Sequence, residues 1–236
     1  MNYRDKFYSK YVSTQTSHLY GEVNLDDIKK QFPVWRKYFG RFLPKDKNAK
    51  ILDFGCGNGG FVYWLQKIGY QNVEGIDASG EQVEVAKKLG IKNIYQLKDI
   101  DAVDKYDIVF MKDVLEHFNK DEIMALLEKI HKALKDRGVL IIQTPNAESP
   151  FSGRLRYGDF THEISFTESS VRQALLVSGF KNVVVCGTYP IVHGIKSLIR
   201  FILWRIIELK LRFYILIETG SDKGIFTQNL IAKAEK

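Results

Sequence analysis

A chain of 236 residues, 45% hydrophobic and 27% charged, has enough apolar content to bury a core and too little polar bias for disorder. Its two cysteines, Cys56 and Cys186, exclude a disulfide framework or a paired-cysteine zinc site and fit a reducing, cytoplasmic setting. The net charge of +7 favours anionic partners such as phosphates, nucleic acid or acidic lipid without choosing among them, and a basic solubilising surface accounts for it equally well.

Residues 1–46 read as a polar, helical cap, with Ile28, Phe32, Trp35, Tyr38, Phe39 and Phe42 at three- and four-residue spacings that make one apolar face. Its role is that of a lid or brace. The first residues lack the continuous apolar run of a signal peptide, so export is not expected. Strands follow at Lys50–Phe54, Asn72–Ile76, Ile94–Leu97, Tyr106–Met111, Gly138–Thr144, Val183–Gly187 and Phe226–Ala232. Helices are predicted near Gly60–Ile68, Gly80–Leu89, Lys120–Lys135 and Glu168–Ser178. Short apolar strands alternating with amphipathic helices imply an α/β domain, a Rossmann-like parallel sheet covered on both faces. The core spans 47–187, a helical insertion 188–224, and a final strand 225–236, all in one domain.

The first informative stretch is ILDFGCGNGG, 51–60. Gly55, Gly57 and Gly60 satisfy G-x-G-x-x-G, and Asp77 stands at the end of the second strand, so a dinucleotide-binding oxidoreductase is formally allowed. Either nucleotide cofactor needs glycines for close backbone approach and a carboxylate for the ribose hydroxyls. The charge beside the glycines separates them. Asp53 lies two residues before Gly55, where a carboxylate suits a cationic ligand such as a sulfonium better than a pyrophosphate.

On these residues the chain resembles the class I S-adenosylmethionine-dependent methyltransferases. GIDAS matches the acidic end of the second strand, KDI the segment after the third, YDIVFMKDVLEHF the fourth strand and its loop, and LKDRGVLIIQTPN the fifth. The resemblance implies a seven-stranded sheet in the order 3-2-1-4-5-7-6 with the last strand antiparallel. It implies S-adenosylmethionine as cofactor, held by Asp53, Gly55, Cys56, Gly57, Asn58, Gly59, Asp77, Ala78, Asp99, Ile100, Met111 and Lys112.

In DVLEHF, Asp113, Glu116 and His117 are spaced i, i+3 and i+4, so on a helix they share one face. His162, in DFTHEISFT, follows the fifth strand and is placed to approach the same mouth. Asp113, Glu116, His117 and His162 make a candidate site for a divalent metal such as Mg²⁺, Mn²⁺ or Zn²⁺. The set is similar to Glu-x-x-Glu-His in the ubiquinone-biosynthesis O-methyltransferases and the small-RNA 3′-end 2′-O-methyltransferases, with Asp113 in place of the first Glu. Two other readings stand beside it: a brace for the active-site loop, and a general base, with His117, His162 and Asp113 as candidate catalytic residues. A base or an acidifying metal suits a hydroxyl acceptor.

The stretch 191–220 is apolar but interrupted by Lys196, Arg200, Arg205, Glu208, Lys210 and Arg212, which rules out a membrane span. Because these charges fall on opposite sides of a helix, a single straight helix would have no clean polar face. A break near Leu203 or packing against the N-terminal helices or a second subunit is expected. A substrate lid, a homodimer or core contact, and peripheral contact of 191–217 with the inner face of the membrane are the three readings. His18, His131 and His193 read as structural. Arg154, Arg156 and Tyr157 are candidates for an anionic group on the acceptor, or ordinary loop charges.

Together these observations point to methylation of a hydroxyl on a small-molecule or glycan acceptor, which a lipid carrier would suit. An RNA 3′-end enzyme is the second reading, disfavoured because no dense run of basic and aromatic residues lies outside the insertion. An NAD-dependent oxidoreductase and a non-catalytic binding module are the rivals of other classes.

Overall fold

Seven strands make one sheet in the order β3-β2-β1-β4-β5-β7-β6, as the resemblance implies. In the computed structural model, which describes residues 3–16, 21–97 and 100–236, these are β1 (Ile51–Phe54), β2 (Val73–Asp77), β3 (Ile94–Gln96), β4 (Tyr106–Lys112), β5 (Leu134–Pro145), β6 (Lys181–Gly187) and β7 (Asn229–Glu235). The first five pair in parallel, and β7 runs antiparallel between β5 and β6. Every residue of β1 is buried, as expected of a central parallel strand covered on both faces.

Alternation along the strands divides the core in two. On β4, Val109 and Met111 enter one layer, packed by α6 (Lys120–Ala133) and α8 (Glu168–Val177); Ile108 and Phe110 enter the other, packed by α4 (Gly60–Lys67) and α5 (Gly80–Lys88). α6 starts at an Asn119 and Glu122 capping box, which pairs two of the amide groups left open at a helix start.

The N-terminal segment divides as well. α1 (Tyr3–Tyr8) and a π-helical turn (Val12–Thr16) cross the carboxyl end of the sheet, whereas α2 (Leu25–Lys30) and α3 (Phe32–Phe39) brace α4. The predicted apolar face serves the brace: Ile28 and Phe39 are buried, and the Trp35 ring lies 5.5 Å from Phe61 and 6.1 Å from Trp64.

Two strand starts differ from the sequence reading by three residues or more. β5 begins at Leu134 because an irregularity between Tyr106 and Ile108, with Arg137 at φ 60°, lets pairing resume across the Lys135–Arg137 turn. β7 begins at Asn229 rather than Phe226 because the Asn146 amide takes the carbonyls of Ile225 and Thr227, so those residues serve the loop instead of the ladder.

The insertion is one unbroken helix, α9 (Ile195–Thr219), which removes the break near Leu203 from the alternatives. Its two buried residues are polar. Ser197 and Glu208 are buried, and Glu208 accepts from Arg205 at 2.7 Å, Arg212 at 2.8 Å and the Tyr189 hydroxyl at 3.3 Å. With the acid turned inward between them, arginines on opposite flanks stop being contradictory. Among the described residues no helix is long and apolar enough to cross a membrane.

Candidate active site

The loop from β1 to α4 is built on glycines that side chains could not replace. Gly55 has φ 72°, and a Cβ there would meet Val114 Cγ2 at 2.3 Å. The amides of Gly55 and Cys56 both donate to the Ile76 carbonyl, which ties the loop to β2. Asp77, ending β2, accepts from Gly57 N–H and from Ser79 N–H, each at 2.8 Å on a different oxygen. Burial raises its carboxyl above the ordinary range, and those two amides work against the rise.

Gly55, Gly57, Asp77 and Ala78 line a cavity of about 200 Å³ at the carboxyl ends of the strands, which is where open α/β sheets bind ligands. Other residues assigned to the cofactor lie behind this surface. Met111 is fully buried; the Cys56 side chain packs against β2, where a Cβ on Gly75 would come within 2.8 Å of its sulfur. The Asn58 side chain accepts from Gly60 N–H, and Gly59 caps α4 with φ 74°. Ile100 lines a neighbouring cleft of about 460 Å³ that shares Ile76 and Leu97 with the cavity. Asp99, like His18, lies outside the described residues. Asp53 is fully buried beneath the loop, with the Lys112 ammonium 3.2 Å from Oδ1 and over the Phe61 ring at 4.3 Å. Lys112 therefore supplies this carboxylate with a cation from the chain itself, while burial still pushes its pKa up.

The segment after β4 corrects the helix-face argument. Asp113 has φ 56°, and only Leu115–His117 is helical, as a single 3-10 turn. The exposed Asp113 turns to the half-buried Gln143, which donates to it at 2.9 Å. The residues that converge, among the described residues, are Glu116, His117 and His162, each offering a ligand atom within 4.8 Å of the others. The Glu116 carbonyl accepts from Glu163 N–H at 2.7 Å, which brings the DFTHE loop alongside. Arg156 donates to the carbonyls of His162 and Glu163, so it is a strut of this loop and not an open anion binder. Arg154 and Tyr157 are exposed.

The hydrogen bonds fix the imidazole tautomers. Thr161 donates its hydroxyl to Asp159 Oδ1 at 2.6 Å, so its oxygen accepts from His117 Nδ1, 2.8 Å away. His162 Nδ1 faces the Leu155 carbonyl at 2.9 Å and must also carry its proton. In its neutral form each ring then keeps its lone pair on Nε2. Glu116 is buried with Oε2 accepting from Thr144 at 3.0 Å and Oε1 unpartnered. Burial and then His162 lower the His117 pKa to about 4, and burial together with Asp113 raises Glu116 well above the carboxylate range. Asp159 moves the other way: burial would raise it, but the hydroxyls of Thr161 and Tyr11 outweigh that and lower it.

The N-terminal residues close the mouth. The Tyr11 hydroxyl donates to Asp159 at 2.6 Å, the Tyr8 carbonyl accepts from Ser79 at 2.8 Å, and the Tyr8 ring meets His117 edge-on at 6.3 Å. Arg4 anchors the far end on Glu122 at 2.7 Å. The sequence reading missed Tyr8, Tyr11 and Thr161. No periodicity marks a contact spanning some 150 positions in the chain, although Asp159 and Thr161 lie within the DFTHE stretch that was noticed for His162.

Residues 28–185 match the model of a methyltransferase domain. Among curated relatives, a ubiquinone biosynthesis O-methyltransferase of Pelagibacter ubique is 34% identical over 107 residues, 42% of this chain and 43% of the relative. A phosphoethanolamine N-methyltransferase of Plasmodium falciparum is 27% identical over 150 residues, 59% and 56% of the two. The chain thus spans about half the length of the curated relatives it matches. A solved S-adenosylmethionine-dependent methyltransferase of Archaeoglobus fulgidus superposes with a TM-score of 0.64 at 21% identity, covering 89% of this chain and 94% of that one. With the glycine loop, the acid ending β2 and the antiparallel β7 already in place, the match over most of the chain makes this protein a member of the class I S-adenosylmethionine-dependent methyltransferases.

Proposed function

We propose that the protein transfers the methyl group of S-adenosylmethionine to a hydroxyl of a small-molecule or glycan acceptor. Gly55 and Gly57 form the floor for the cofactor, and Asp77 keeps lone pairs for the ribose hydroxyls after its two amide bonds. The observation that carries the oxygen acceptor is the chain Asp159–Thr161–His117, which leaves a neutral His117 with its Nε2 lone pair beside the cavity. As the acceptor oxygen bonds to the methyl carbon, the carbon–sulfur bond breaks. The hydroxyl proton passes to His117 Nε2, leaving a methyl ether and S-adenosylhomocysteine.

A second reading rests on the buried, unpartnered Glu116 Oε1 beside two imidazoles with free Nε2 atoms. That donor set fits a divalent cation, with Glu116, His117 and His162 as its protein ligands and Asp113 left aside. A bound cation would acidify a hydroxyl. The relatives named above support either an oxygen or a nitrogen acceptor, and a neutral base favours oxygen.

Isothermal titration with S-adenosylhomocysteine, in EDTA and then with Mg²⁺, Mn²⁺ or Zn²⁺, tests both. Micromolar binding in EDTA is expected. NADH binding in its place would overturn the cofactor assignment. Thr161→Val should keep S-adenosylhomocysteine affinity while lowering kcat and shifting its pH profile, because only the tautomer of His117 is released. Metal-dependent heat that is lost in Glu116→Gln would favour the second reading.

A further inference from the structure

α9 carries apolar residues on the side that faces solvent as well as on the side that meets the body. The stripe that meets the body is mixed, with Ser197 and Glu208 buried among the partly buried Phe201, Trp204, Leu211 and Ile215, and the opposite face turns Ile195, Ile199, Ile202, Ile206, Phe213 and Ile217 to solvent, 48–80% exposed. At about 1.5 Å per residue these form an apolar ridge roughly 33 Å long, the kind of exposed patch that marks an interaction surface.

The charges around the ridge select its occupant. At about 100° per residue, Lys196 and Arg200 fall along one border, Arg205 and Arg212 along the other, and Lys210 within the ridge. The carboxylates of the helix do not balance them: Glu208 is buried beneath the ridge and held by Arg205 and Arg212, and Glu218 lies in the last turn. A second copy packed here about a two-fold axis would drive Lys210 into a dry contact with the isoleucines of the facing ridge, with no acid to meet it. An anionic bilayer satisfies both parts, taking the ridge among its acyl chains and the bordering ammonium and guanidinium groups among its phosphates.

We propose that α9 is a monotopic membrane-binding helix that seats the protein on an anionic lipid surface, ridge down. The placement follows from the fold. β6 runs parallel to β5, so Gly187 and Asn229, where the insertion leaves and rejoins the sheet, both lie at the carboxyl end that holds the cavity. Lipid contact and acceptor entry thereby share one end of the molecule. The inference does not depend on which atom is methylated.

Co-sedimentation of the full chain with vesicles tests it. The wild type should pellet with equimolar phosphatidylcholine and phosphatidylglycerol, stay in solution with phosphatidylcholine alone, and be released by high salt. Ile206→Glu with Phe213→Glu should weaken binding by more than about tenfold. Lys196→Ala with Arg200→Ala should weaken it about 25-fold, from about 1 kcal/mol per basic residue at 1.4 kcal/mol per tenfold. All four positions are exposed, so Tm and S-adenosylhomocysteine affinity should stay at wild-type values and report an intact fold. Wild-type protein that ignores anionic vesicles, or variants that bind as it does, would overturn the proposal. So would a wild-type dimer in sedimentation equilibrium that Ile206→Glu dissociates without vesicle binding, which would give the ridge to a second copy.

Discussion

Asp77→Asn separates the two roles assigned to this carboxylate. In the wild type each oxygen accepts one amide at 2.8 Å, from Gly57 and Ser79. Asparagine keeps one of these and sets an NH₂ group against the other N–H, losing a charge-assisted bond worth about 1.5–3 kcal/mol. Part of that loss is offset. The Asp77 carboxyl is raised by burial, so a neutral amide costs less to keep there. The net should be about 1 kcal/mol, or roughly 2–4 °C in Tm for a domain of this size. The cofactor should lose far more, because hydroxyl-to-carboxylate bonds become bonds to an amide: about 3–4 kcal/mol, a roughly hundred- to thousandfold rise in Kd for S-adenosylhomocysteine. Titration calorimetry and thermal denaturation measure the two effects on one preparation. An unchanged Kd at near-wild-type Tm would refute the assignment of Asp77 to the ribose.

Gly55→Ala should destabilise by about 2–5 kcal/mol, combining left-handed strain with overlap on Val114, and Val114→Ala in the same chain should relieve the overlap and leave the strain. Denaturant titration reads both. His117 makes stability depend on pH. Its folded pKa, about 4, is below the unfolded value of about 6.5, so the unfolded chain takes the proton first. Stability should fall as pH drops through 6.5, level off below 4, and lose up to about 3 kcal/mol. In EDTA, His117→Gln should flatten that part of the Tm profile, and an identical profile would contradict the buried, neutral imidazole. Glu208→Ala removes the acid between Arg205 and Arg212, whose partial exposure limits the cost to about 1–2 kcal/mol. Faster proteolysis around 220–224 with unchanged S-adenosylhomocysteine affinity is expected there, since Arg212 also holds the carbonyls of Asp222 and Gly224.

The sheet was legible because each of its central strands is an apolar run bounded by turn residues, and burial on both faces demands such runs. The glycine loop and Asp77 were legible because few residue types can occupy those positions. What local patterns hid came from long-range pairing. A positive φ at Asp113 turns DVLEH off the helical path, so the spacing rule that grouped Asp113 with Glu116 did not apply, while His162 reached the group through the Glu163 amide. Lys112 next to Met111 reads as a cofactor contact, yet its ammonium is drawn to Asp53 across the β1–β4 pair. The insertion was misjudged by assuming that a helix sends its charges to water, when Glu208 goes inward and takes the flanking arginines with it.

The position of β7 also sets the order in which the chain can fold. Among the described residues β6 pairs with β7 alone, and β7 follows it only after the whole of α9 has been made. Until residues 229–235 leave the ribosome, β6 has no strand to pair with and the edge of β5, carrying Leu140 and Ile142, is open to strand exchange. Closing the sheet is therefore a late, non-local step, slow relative to helix formation, and the nascent chain passes through a stage in which its cofactor half can assemble while its other edge invites aggregation.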